Sequence, residues 1–567
     1  MIIENEQEFE QQNNSLGFRK SQEFAGPAIP TISFEPKVNL TAPVKELPIV
    51  NTETLPALQR NILFIYPGMV TEAPMTLGML GAVAKQEGWN AHALVNTFKK
   101  PLVVEDYVSE AKRLDAKLVG ITMLTYNVLE TYKIVTGLKE AGLTVIMGGP
   151  HPTDNPQECI DHGANIVVQG EGEYPIKQIL RDFPNVQEGI IRGEVPQNLS
   201  ELPLPDLDIY DKSVFTDDEG FVKGFHRIHT SRACPAYCTF CASSVLGHDW
   251  RPTTVDKVIE DIQRRVDQYG ITSIGIADDC FPVDKGRALD FCKRVHEIKL
   301  RDPDQKLTIR LNSRVSLVDR ELLKAFKDAG VYSIAFGLES FDELSLKKMG
   351  KNVTLQQNIE APWMAHEAGL VVYGCLMIGF PWETPKSIQN QIKGMHEVWD
   401  AVSLFQVSGC LTPFPGTAIY RQFVKDYPSI KDWWLDPRRQ NHGIQVYQNA
   451  INPYAVSNFY QRVYFDDSYI RGEDFFPYTN EYRRSVARFV HEVGKHNIPF
   501  MYPDRPFTQK LTHLAANASM LGEDLFPGME KKVGGWLFDK FGHKGERTGI
   551  EKQRDARRGI SKNLDSR

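Results

Sequence analysis

Three cysteines in one short segment are the residues of this chain best suited to chemistry. Cys234, Cys238 and Cys241 lie within the segment SRACPAYCTFCASS, with three and then two residues between them. Thiolates are the usual ligands of iron–sulfur clusters, and a short loop can hold three of them around one [4Fe–4S] cube. Three ligands leave the fourth iron open to a substrate or cofactor. The spacing therefore predicts a [4Fe–4S] cluster with one open coordination site.

The alternative for the same cysteines is a structural zinc site. It would need a fourth ligand, for which His226, His229 and His248 are candidates. The commonest structural zinc patterns use two C-x2-C pairs that lie far apart, and the sequence has no second pair. We interpret the remaining cysteines as small buried hydrophobes; they are Cys159, Cys280, Cys292, Cys375 and Cys410. The pattern favours the cluster.

The cysteine segment follows the first strand of an alternating series of strands and helices over residues 226–420. The strands are expected at 226–230, 272–277, 307–311, 333–336, 371–377 and 402–408. Six strand–helix units are too few for a closed eight-stranded barrel. They predict a partial (β/α)6 barrel, with its chemistry at the carboxyl ends of the strands.

Short motifs follow the expected strands of this series in order. They are IADDCF at 276–281, RLNSR at 310–314, FGLES at 336–340, LMIGFPWET at 376–384 and LTPFPGTAIY at 411–420. Together with CxxxCxxC, and with Phe240 just before its last cysteine, they resemble the radical S-adenosylmethionine (SAM) superfamily. The resemblance covers roughly residues 59–420.

This resemblance implies a reaction type. In the family, the methionine amine and carboxylate of SAM chelate the open iron of the cluster. One electron from the cluster then cleaves the sulfonium and releases a 5′-deoxyadenosyl radical, which abstracts hydrogen from an unreactive carbon. The electron would come from a reductase such as flavodoxin or ferredoxin.

The resemblance also assigns SAM contacts. Arg314 is expected to pair with the SAM carboxylate. Asp278 and Asp279 are expected to contact the methionine amine or to line the substrate side, and Phe240 and Phe380 to pack near the adenine. The structural alternatives are a surface ion pair for the arginine and an N-terminal helix cap for the two aspartates.

Two further motifs complete the expected SAM site. In FGLES, Glu339 is placed to accept hydrogen bonds from the ribose hydroxyls, with Gly337 and Ser340 beside it. In the LMIGFPWET motif, Gly379 stands before Pro381 in the chain and would let the backbone approach the adenine.

Residues 59–190 form an earlier alternating series. Its strands are expected at Asn61–Tyr66, Ala91–Val95, Lys117–Thr122, Leu143–Met147 and Asn165–Val168. Strands that alternate with helices predict a doubly wound, Rossmann-like α/β domain, which binds ligands beyond the carboxyl ends of its strands. The motifs GGPHPT at 148–153 and GEGE at 170–173 resemble the cobalamin-binding domain that precedes the barrel in the class B radical SAM methyltransferases.

The cobalamin contacts that this resemblance implies come from the loops after the strands. They are Met69, Val70, Thr122, Thr125, Gly148, Gly149, His151, Gly170, Glu171 and Gly172. The loop after the first strand lacks the histidine of a D-x-H-x-x-G motif, so we expect no histidine below the cobalt, where Met69 or Val70 would crowd that face. The alternatives are a docking module without cofactor, and an ordinary loop histidine for His151.

The rest of the chain and its composition set limits on the function. We expect an extended or disordered arm over 1–58, a linker over 191–225, a mainly helical domain over 421–545 and a basic flexible tail over 546–567. A net charge of −7 in 567 residues argues against nucleic acid as a partner. No apolar run approaches the roughly 18 residues of a membrane helix, and the N-terminus lacks the pattern of a signal peptide. A cytoplasmic location is expected.

Three functions remain open from the sequence. The first is methylation of an unactivated carbon in a small-molecule, lipid or tetrapyrrole substrate. The second is radical oxidation, cyclisation or rearrangement without methyl transfer. The third is a non-catalytic iron–sulfur or cobalamin sensor, against which the SAM motifs argue. Methylation would consume two SAM molecules and yield both S-adenosylhomocysteine and 5′-deoxyadenosine.

Overall fold

A computed structural model describes most of the chain between residues 60 and 501. The described residues are 60–70, 72–97, 100–211, 225–243, 247–301, 307–426, 428, 431–436 and 480–501. The expected arm 1–58 and basic tail 546–567 lie outside them, as does most of the expected helical domain 421–545.

The first sheet contains six parallel strands in the order β2-β1-β3-β4-β5-β6. The strands are β1 (Asn61–Val70), β2 (Asn90–Thr97), β3 (Leu118–Thr122), β4 (Thr144–Gly148), β5 (Ile166–Gln169) and β6 (Gly189–Arg192). The helices between them are α1 (Met75–Gln86), α2 (Val104–Arg113), α3 (Val128–Glu140), α4 (Pro150–Asp154), α5 (Pro156–Asp161) and α6 (Glu173–Asp182). The doubly wound prediction is confirmed. The strand order reverses between β1 and β3, where such sheets bind their ligands.

Strand β1 is longer than the sequence indicates. The sequence predicts its end at Tyr66, but Pro67 and Gly68 form an irregularity after which Met69 and Val70 pair again with β2. Pairing with β3 stops at Ile65, so the proline, which has no backbone N–H, interrupts no ladder on that side. The strand therefore occupies part of the expected ligand loop.

The sheet also has an edge strand that the sequence did not indicate. β6 is four residues long, its side chains alternate between partly buried and exposed, and its second half falls in the expected linker. Further along that linker, Leu207 and Ile209 are buried in the core of the first sheet. The Ala93 amide donates to the Ile209 carbonyl at 2.8 Å. This part of the linker is therefore folded onto the first sheet.

The second sheet has six parallel strands whose spatial order follows the chain, β7-β10-β11-β12-β13-β14. The strands from β7 onwards are β7 (Phe225–Ile228), β8 (Ser231–Arg232), β9 (Arg251–Pro252), β10 (Ser273–Ile276), β11 (Thr308–Ser313), β12 (Val331–Glu339), β13 (Val371–Ile378) and β14 (Leu404–Cys410). The helices are α7 (Val255–Tyr269), α8 (Lys285–Arg301), α9 (Arg320–Asp328), α10 (Glu343–Lys348), α11 (Leu355–Glu367), α12 (Pro385–Glu397), α13 (Ala418–Asp426) and α14 (Asn480–Met501). Within the described residues β7 and β14 do not pair, which confirms the open, partial barrel.

Helix α14 packs along the outer strand of this barrel. Val486, Phe489 and Val493 are buried in the barrel core. The side-chain amide of Asn497 accepts from the Phe405 N–H at 2.9 Å and donates to the Phe405 carbonyl at 2.7 Å. The amide group therefore satisfies the backbone of β14 where a seventh strand would otherwise bind.

One apolar cluster is shared by the two sheets. It joins Met123, which follows β3, to Phe380 and Leu411, which follow β13 and β14, and to Trp434. The carboxyl edges of both sheets therefore contribute to one core. No helix of the described residues has the length and apolar character needed to cross a membrane.

Candidate functional site

The cysteine loop is closed at its base by a short antiparallel pair. Ser231 lies opposite Pro252, and Arg232 lies opposite Arg251. Ala233 enters the loop with φ = 65°, a left-handed conformation that costs a non-glycine residue about 1–2 kcal/mol. The chain therefore turns sharply immediately before the first cysteine.

The cysteine loop is held by a contact within its own segment and by contacts from Arg314 and Met349 of the barrel. Arg314 Nη1 lies 3.4 Å from Cys238 Sγ, and Ser243 Oγ lies 2.8 Å from Cys241 Sγ. The Thr239 amide, between these cysteines, donates to the Met349 carbonyl at 2.9 Å. These contacts orient the loop towards the carboxyl ends of the strands.

Two of the histidines considered as a fourth zinc ligand are engaged elsewhere. Among the described residues, no three His, Cys, Asp or Glu side chains form a group that could hold a single metal ion. Of the candidate fourth ligands, His226 is buried with Nδ1 at 2.9 Å from Arg265, and His248 stacks on Tyr237. Burial and Arg265 lower the pKa of His226 to about 3.

Asp278 anchors the strand that leads into the cysteine loop. Its carboxylate accepts from the Thr230 amide and hydroxyl and from the Ser231 hydroxyl, each at 2.6 Å. The residue is 1% exposed, and burial raises the pKa of its carboxyl. Both oxygens of Asp278 are bonded to the chain before Cys234, which gives the residue an anchoring role. Its expected contact with SAM stays a prediction.

Asp279, the next residue, faces a different environment. Its side chain is exposed. Desolvation by the surrounding protein, and then the neighbouring Asp278, raise the pKa of its carboxyl. Asp279 is therefore accessible to solvent, whereas Asp278 is buried.

The FGLES motif contains a buried ion pair that the sequence did not indicate. Lys351 Nζ lies 2.9 Å from Glu339 Oε1, and the lysine is only 5% exposed. A Cβ at Gly337 would stand 2.6 Å from that oxygen and 2.9 Å from that nitrogen, so glycine makes room for the pair. Glu339 itself has φ = 60°, which turns its carboxylate away from regular strand geometry.

Arg314 joins this pair to the cysteine loop. Its Nη1 contacts Cys238, and its Nη2 donates to the Lys351 carbonyl. Arg314 therefore does not form the surface ion pair considered as its structural alternative. Its guanidinium lies between the cysteines and the FGLES region, where two strand ends meet.

The turn after FGLES is held by side-chain amides and hydroxyls. Ser340 is buried, its Oγ accepts from the Asp342 amide at 3.1 Å, and its carbonyl accepts from Asn358 Nδ2 at 2.8 Å. The Phe341 amide donates to Gln391 Oε1 at 2.6 Å. Ser340 therefore positions the backbone next to Glu339.

The LMIGFPWET motif forms a glycine turn lined by aromatic rings. Gly379 has φ = 87°, and its amide donates to Glu383 Oε2 at 2.7 Å. Phe380 meets Phe240 edge-on at 5.7 Å between ring centroids and stacks on Trp382 at 5.0 Å. Pro381 is exposed. The turn therefore brings a backbone amide and an apolar wall next to the cysteine loop.

Glu383 connects this turn to helix α14, which the sequence did not indicate. Tyr482 donates its hydroxyl to Glu383 Oε2 at 2.6 Å, the same oxygen that the Gly379 amide reaches. Burial raises the pKa of Glu383 to about 7, well above its ordinary value of 4.5. The carboxyl is therefore neutral in mildly acidic solution.

The raised pKa of Glu383 should make the free energy of unfolding depend on pH. A raised carboxyl pKa contributes stability that is fully present below about pH 4.5 and is lost as the pH rises through about 7. The loss amounts to at most about 3 kcal/mol. Glu383→Gln keeps an acceptor but cannot ionise, so we expect a smaller fall in stability between pH 5 and 8. Urea unfolding of the anaerobic holoprotein at several pH values measures this fall, with the exposed Glu360→Gln as the control. Equal slopes of the unfolding free energy against pH in the wild type and in Glu383→Gln would contradict the raised pKa of Glu383.

On the first sheet, His151 is fully buried and both ring nitrogens are engaged. Nδ1 lies 3.2 Å from Thr125 Oγ1, and Nε2 lies 3.2 Å from Glu158 Oε1. Glu158 also accepts from the Tyr132 hydroxyl at 2.6 Å and from Trp434 Nε1 at 3.0 Å. His151 therefore joins helix α4, which follows β4, to the loop after β3. Its expected contact with cobalamin stays a prediction.

The glycines of the two cobalamin motifs are required by close approach and by backbone conformation. Gly149 has φ = 103°, and a Cβ there would stand 2.7 Å from Thr122 Oγ1. Gly170 has φ = 97°, and its amide donates to Thr153 Oγ1 at 3.1 Å. Around Gly148 the nearest atom to an added Cβ is 3.8 Å away, which leaves more room. Gly148 ends β4 and Gly170 follows β5, so both motifs lie at the carboxyl edge of the sheet.

The GEGE segment faces the second half of the chain. Glu171 pairs with Arg232 at 2.5 Å and also with Arg251, while Glu173 pairs with Arg232 at 2.5 Å. The carboxylate of Glu171 is therefore engaged by two arginines, and its expected contact with cobalamin stays a prediction. Gly172 between them packs near Leu80.

Two other expected cobalamin contacts lie on the end of β1. The side chain of Met69 lies outside the described part of the structure. Val70 pairs with Thr97 and packs against the core of the first sheet. The end of β1 is therefore strand rather than an open loop.

Both halves of the chain match known protein families. The model of the radical SAM superfamily matches residues 228–393, and that of the B12 binding domain matches residues 71–180. An uncharacterized methyltransferase of Pyrococcus horikoshii is 31% identical over 380 residues, which are 62% of this chain and 79% of that protein. The fold and site therefore define a radical SAM enzyme. More particularly, the chain belongs to the group that joins this barrel to a cobalamin-binding domain, with a [4Fe–4S] cluster, SAM and cobalamin as cofactors.

Two other proteins extend the comparison. The anaerobic magnesium-protoporphyrin IX monomethyl ester cyclase of Cereibacter sphaeroides is 23% identical over 388 residues, covering 64% of this chain and 61% of the cyclase. The solved structure of the radical SAM methyltransferase TsrM from Kitasatospora setae superposes with a TM-score of 0.56 and 18% identity, covering 65% of this chain and 76% of TsrM. This structural likeness supports the fold.

Proposed function

We propose that this enzyme methylates an unactivated carbon of a small-molecule, lipid or tetrapyrrole substrate. The observation that carries the proposal is the apolar cluster shared by the carboxyl edges of both sheets, which includes Met123 and Phe380. This cluster supports the proposal because it joins Met123, at the expected cobalamin edge, to Phe240 of the cysteine loop, and methyl transfer to a substrate radical would need the two cofactors close together. When bound, the cluster with SAM supplies a hydrogen-abstracting radical, and cobalamin supplies a methyl carrier.

The name of the Pyrococcus relative supports methyl transfer, and so does that of a more distant relative. The hopanoid C-3 methylase of Methylococcus capsulatus is 25% identical over 339 residues, covering 56% of this chain and 63% of the methylase. Its name places methylation at a carbon atom. A carbon methylation is therefore the reaction that we assign.

The cysteine loop supplies the cluster ligands in this proposal. Cys234, Cys238 and Cys241 would bind three irons. Arg314, at 3.4 Å from Cys238, would direct its positive charge towards the open iron and the SAM carboxylate. Its second bond, to the Lys351 carbonyl, limits the orientations that the guanidinium can take.

The FGLES and LMIGFPWET turns would hold the nucleoside of SAM. The ion pair with Lys351 orients the Glu339 carboxylate, which would accept hydrogen bonds from two ribose hydroxyls, and Gly337 leaves the space that this requires. Gly379 would approach the adenine through its backbone, and the Phe240–Phe380 pair would provide the apolar wall.

The remaining roles concern the substrate, the cobalamin and the electron donor. We assign Asp279 to the substrate side, because its carboxyl is accessible and partly desolvated. Cobalamin would lie over the loops that contain Thr122, Gly148 and Gly170, with Val70 below. A reductase such as flavodoxin or ferredoxin would supply the electron, and the need to keep the cluster reduced favours the cytoplasm.

Product stoichiometry tests the proposal. The anaerobically reconstituted enzyme is incubated with cobalamin, SAM, a reductant and candidate hopanoid, tetrapyrrole and aromatic substrates. We expect one S-adenosylhomocysteine and one 5′-deoxyadenosine for each methyl group found in the product by mass spectrometry. The similarity to the cyclase favours a second candidate, oxidation without methyl transfer. Turnover that yields 5′-deoxyadenosine but no S-adenosylhomocysteine would establish that candidate and exclude methylation.

A further inference from the structure

We propose that Glu171 is a positioning residue, which fixes the position of the cysteine loop relative to the cobalamin-binding half of the chain. It belongs to an ionic clamp of four residues, Glu171, Glu173, Arg232 and Arg251. Arg232 reaches both glutamates at 2.5 Å, and Arg251 bonds Glu171 through both of its terminal nitrogens. Only the expected effect on methyl transfer rests on the proposed function; the positioning of the cysteine loop does not.

The two arginines lie at the base of the cysteine loop. Arg232 and Arg251 are directly opposite each other in the β8–β9 pair, and like charges in such positions repel. Glu171 lies between them and accepts from both. The repulsion between the two arginines at the loop base is therefore offset when the GEGE segment of the first sheet packs against them.

Burial makes this arrangement sensitive to the loss of one partner. Glu171 is 8% exposed and Arg251 is 6% exposed, and Arg251 also donates to the Pro196 carbonyl at 2.6 Å. Removing one member of a buried ion pair leaves an uncompensated charge and is strongly destabilising. A Glu171 variant therefore has to reposition the arginines or admit water to them.

Movement of Arg232 would be transmitted to the cluster. Cys234 is two residues further along the chain, and Ala233 between them is held in a left-handed turn. Glu171 itself stands at the carboxyl end of β5, two residues after its last residue, Gln169. The four side chains of the clamp thus join the carboxyl edge of the first sheet to the base of the cysteine loop. Misplacement of reacting groups by about 1 Å can cost about 100-fold in rate.

The test compares Glu171→Gln with the wild-type holoenzyme, reconstituted with cluster and cobalamin. We expect unchanged iron and cobalamin contents, but a changed magnetic interaction between the reduced cluster and cob(II)alamin in the electron paramagnetic resonance spectrum. We also expect 5′-deoxyadenosine formed without methylated product to rise about tenfold or more. Glu87→Gln is the matched control, because Glu87 pairs with Arg181 at 2.6 Å within the first half.

A double variant separates positioning from stability. Glu171→Gln combined with Arg251→Gln removes the uncompensated charge, so thermal stability should recover in part, while the altered spectrum should persist. An unchanged spectrum in the single variant would overturn the proposal, and so would a spectrum that returns to wild type together with the stability. The spectroscopic result does not depend on methylation, so a failure of the proposed function would appear separately, as wild-type turnover without S-adenosylhomocysteine.

Discussion

Cys238→Ala is expected to reduce 5′-deoxyadenosine formation to background, a loss of at least about 10³-fold. Cys238 lies in the middle of the three-cysteine loop, and its sulfur is the one that Arg314 contacts. With two thiolates left, the loop cannot bind three corners of the cube. Iron content and the cluster absorbance of the anaerobic protein measure the loss of the cluster. The release of 5′-deoxyadenosine measures the loss of SAM cleavage.

The matched control for this prediction is Cys292→Ala. Cys292 is a buried thiol on α8 in the barrel core, and burial raises its pKa to about 12, so that it remains a neutral, apolar group. Its removal should cost stability through a small cavity but leave iron binding and SAM cleavage intact. If Cys238→Ala retained both iron and cleavage, the assignment of the cluster to this loop would have to be abandoned.

The second large effect is expected from Asp278→Ala. Its carboxylate accepts three hydrogen bonds from Thr230 and Ser231, and their loss would leave buried donors without partners. We expect a loss of about 3 kcal/mol or more in the free energy of unfolding. We also expect poor cluster loading, because the strand before Cys234 is no longer held. Urea unfolding of the protein without its cluster measures the first effect, and iron per chain measures the second.

Asp279→Ala provides the comparison. Because this side chain is exposed, its removal should leave the free energy of unfolding within about 0.5 kcal/mol of the wild type. If it lies on the substrate side, turnover should fall while iron content stays unchanged. Equal stability losses in the two variants would disprove the anchoring role of Asp278.

The elements that carry the site were predictable because each produces its own local signal. Buried parallel strands appear as short apolar runs, and the barrel strands lie within a few residues of the expected positions, as for Val371–Ile378. The loop 234–241 was predictable because three thiols so close together in one segment are typical of metal and cluster ligands. Strand β6 was missed because a four-residue edge strand with alternating exposure has almost no such signal.

The partners of the site residues could not be predicted, because they come from distant parts of the chain. Lys351 follows a run of lysines that is typical of solvated charge, and only the folded barrel places it on Glu339. The contact between Trp434 and Glu158 spans 276 positions in the sequence. Glu171 lies in the GEGE segment, whose composition is typical of a ligand loop. Its arginine partners become apparent only when the two sheets are packed together.

The bond between Asn497 and Phe405 also bears on how the chain is made. Synthesis proceeds from the N-terminus, so all six barrel strands leave the ribosome before residue 497 does. Until then the outer edge of β14 lacks the amide that satisfies Phe405, and an unprotected strand edge can pair with another chain. Tyr482, which bonds Glu383 beside the expected nucleoside site, is also among the late residues. The nascent barrel therefore has its cysteine loop well before it has a finished edge, and chaperone protection matters most in that interval.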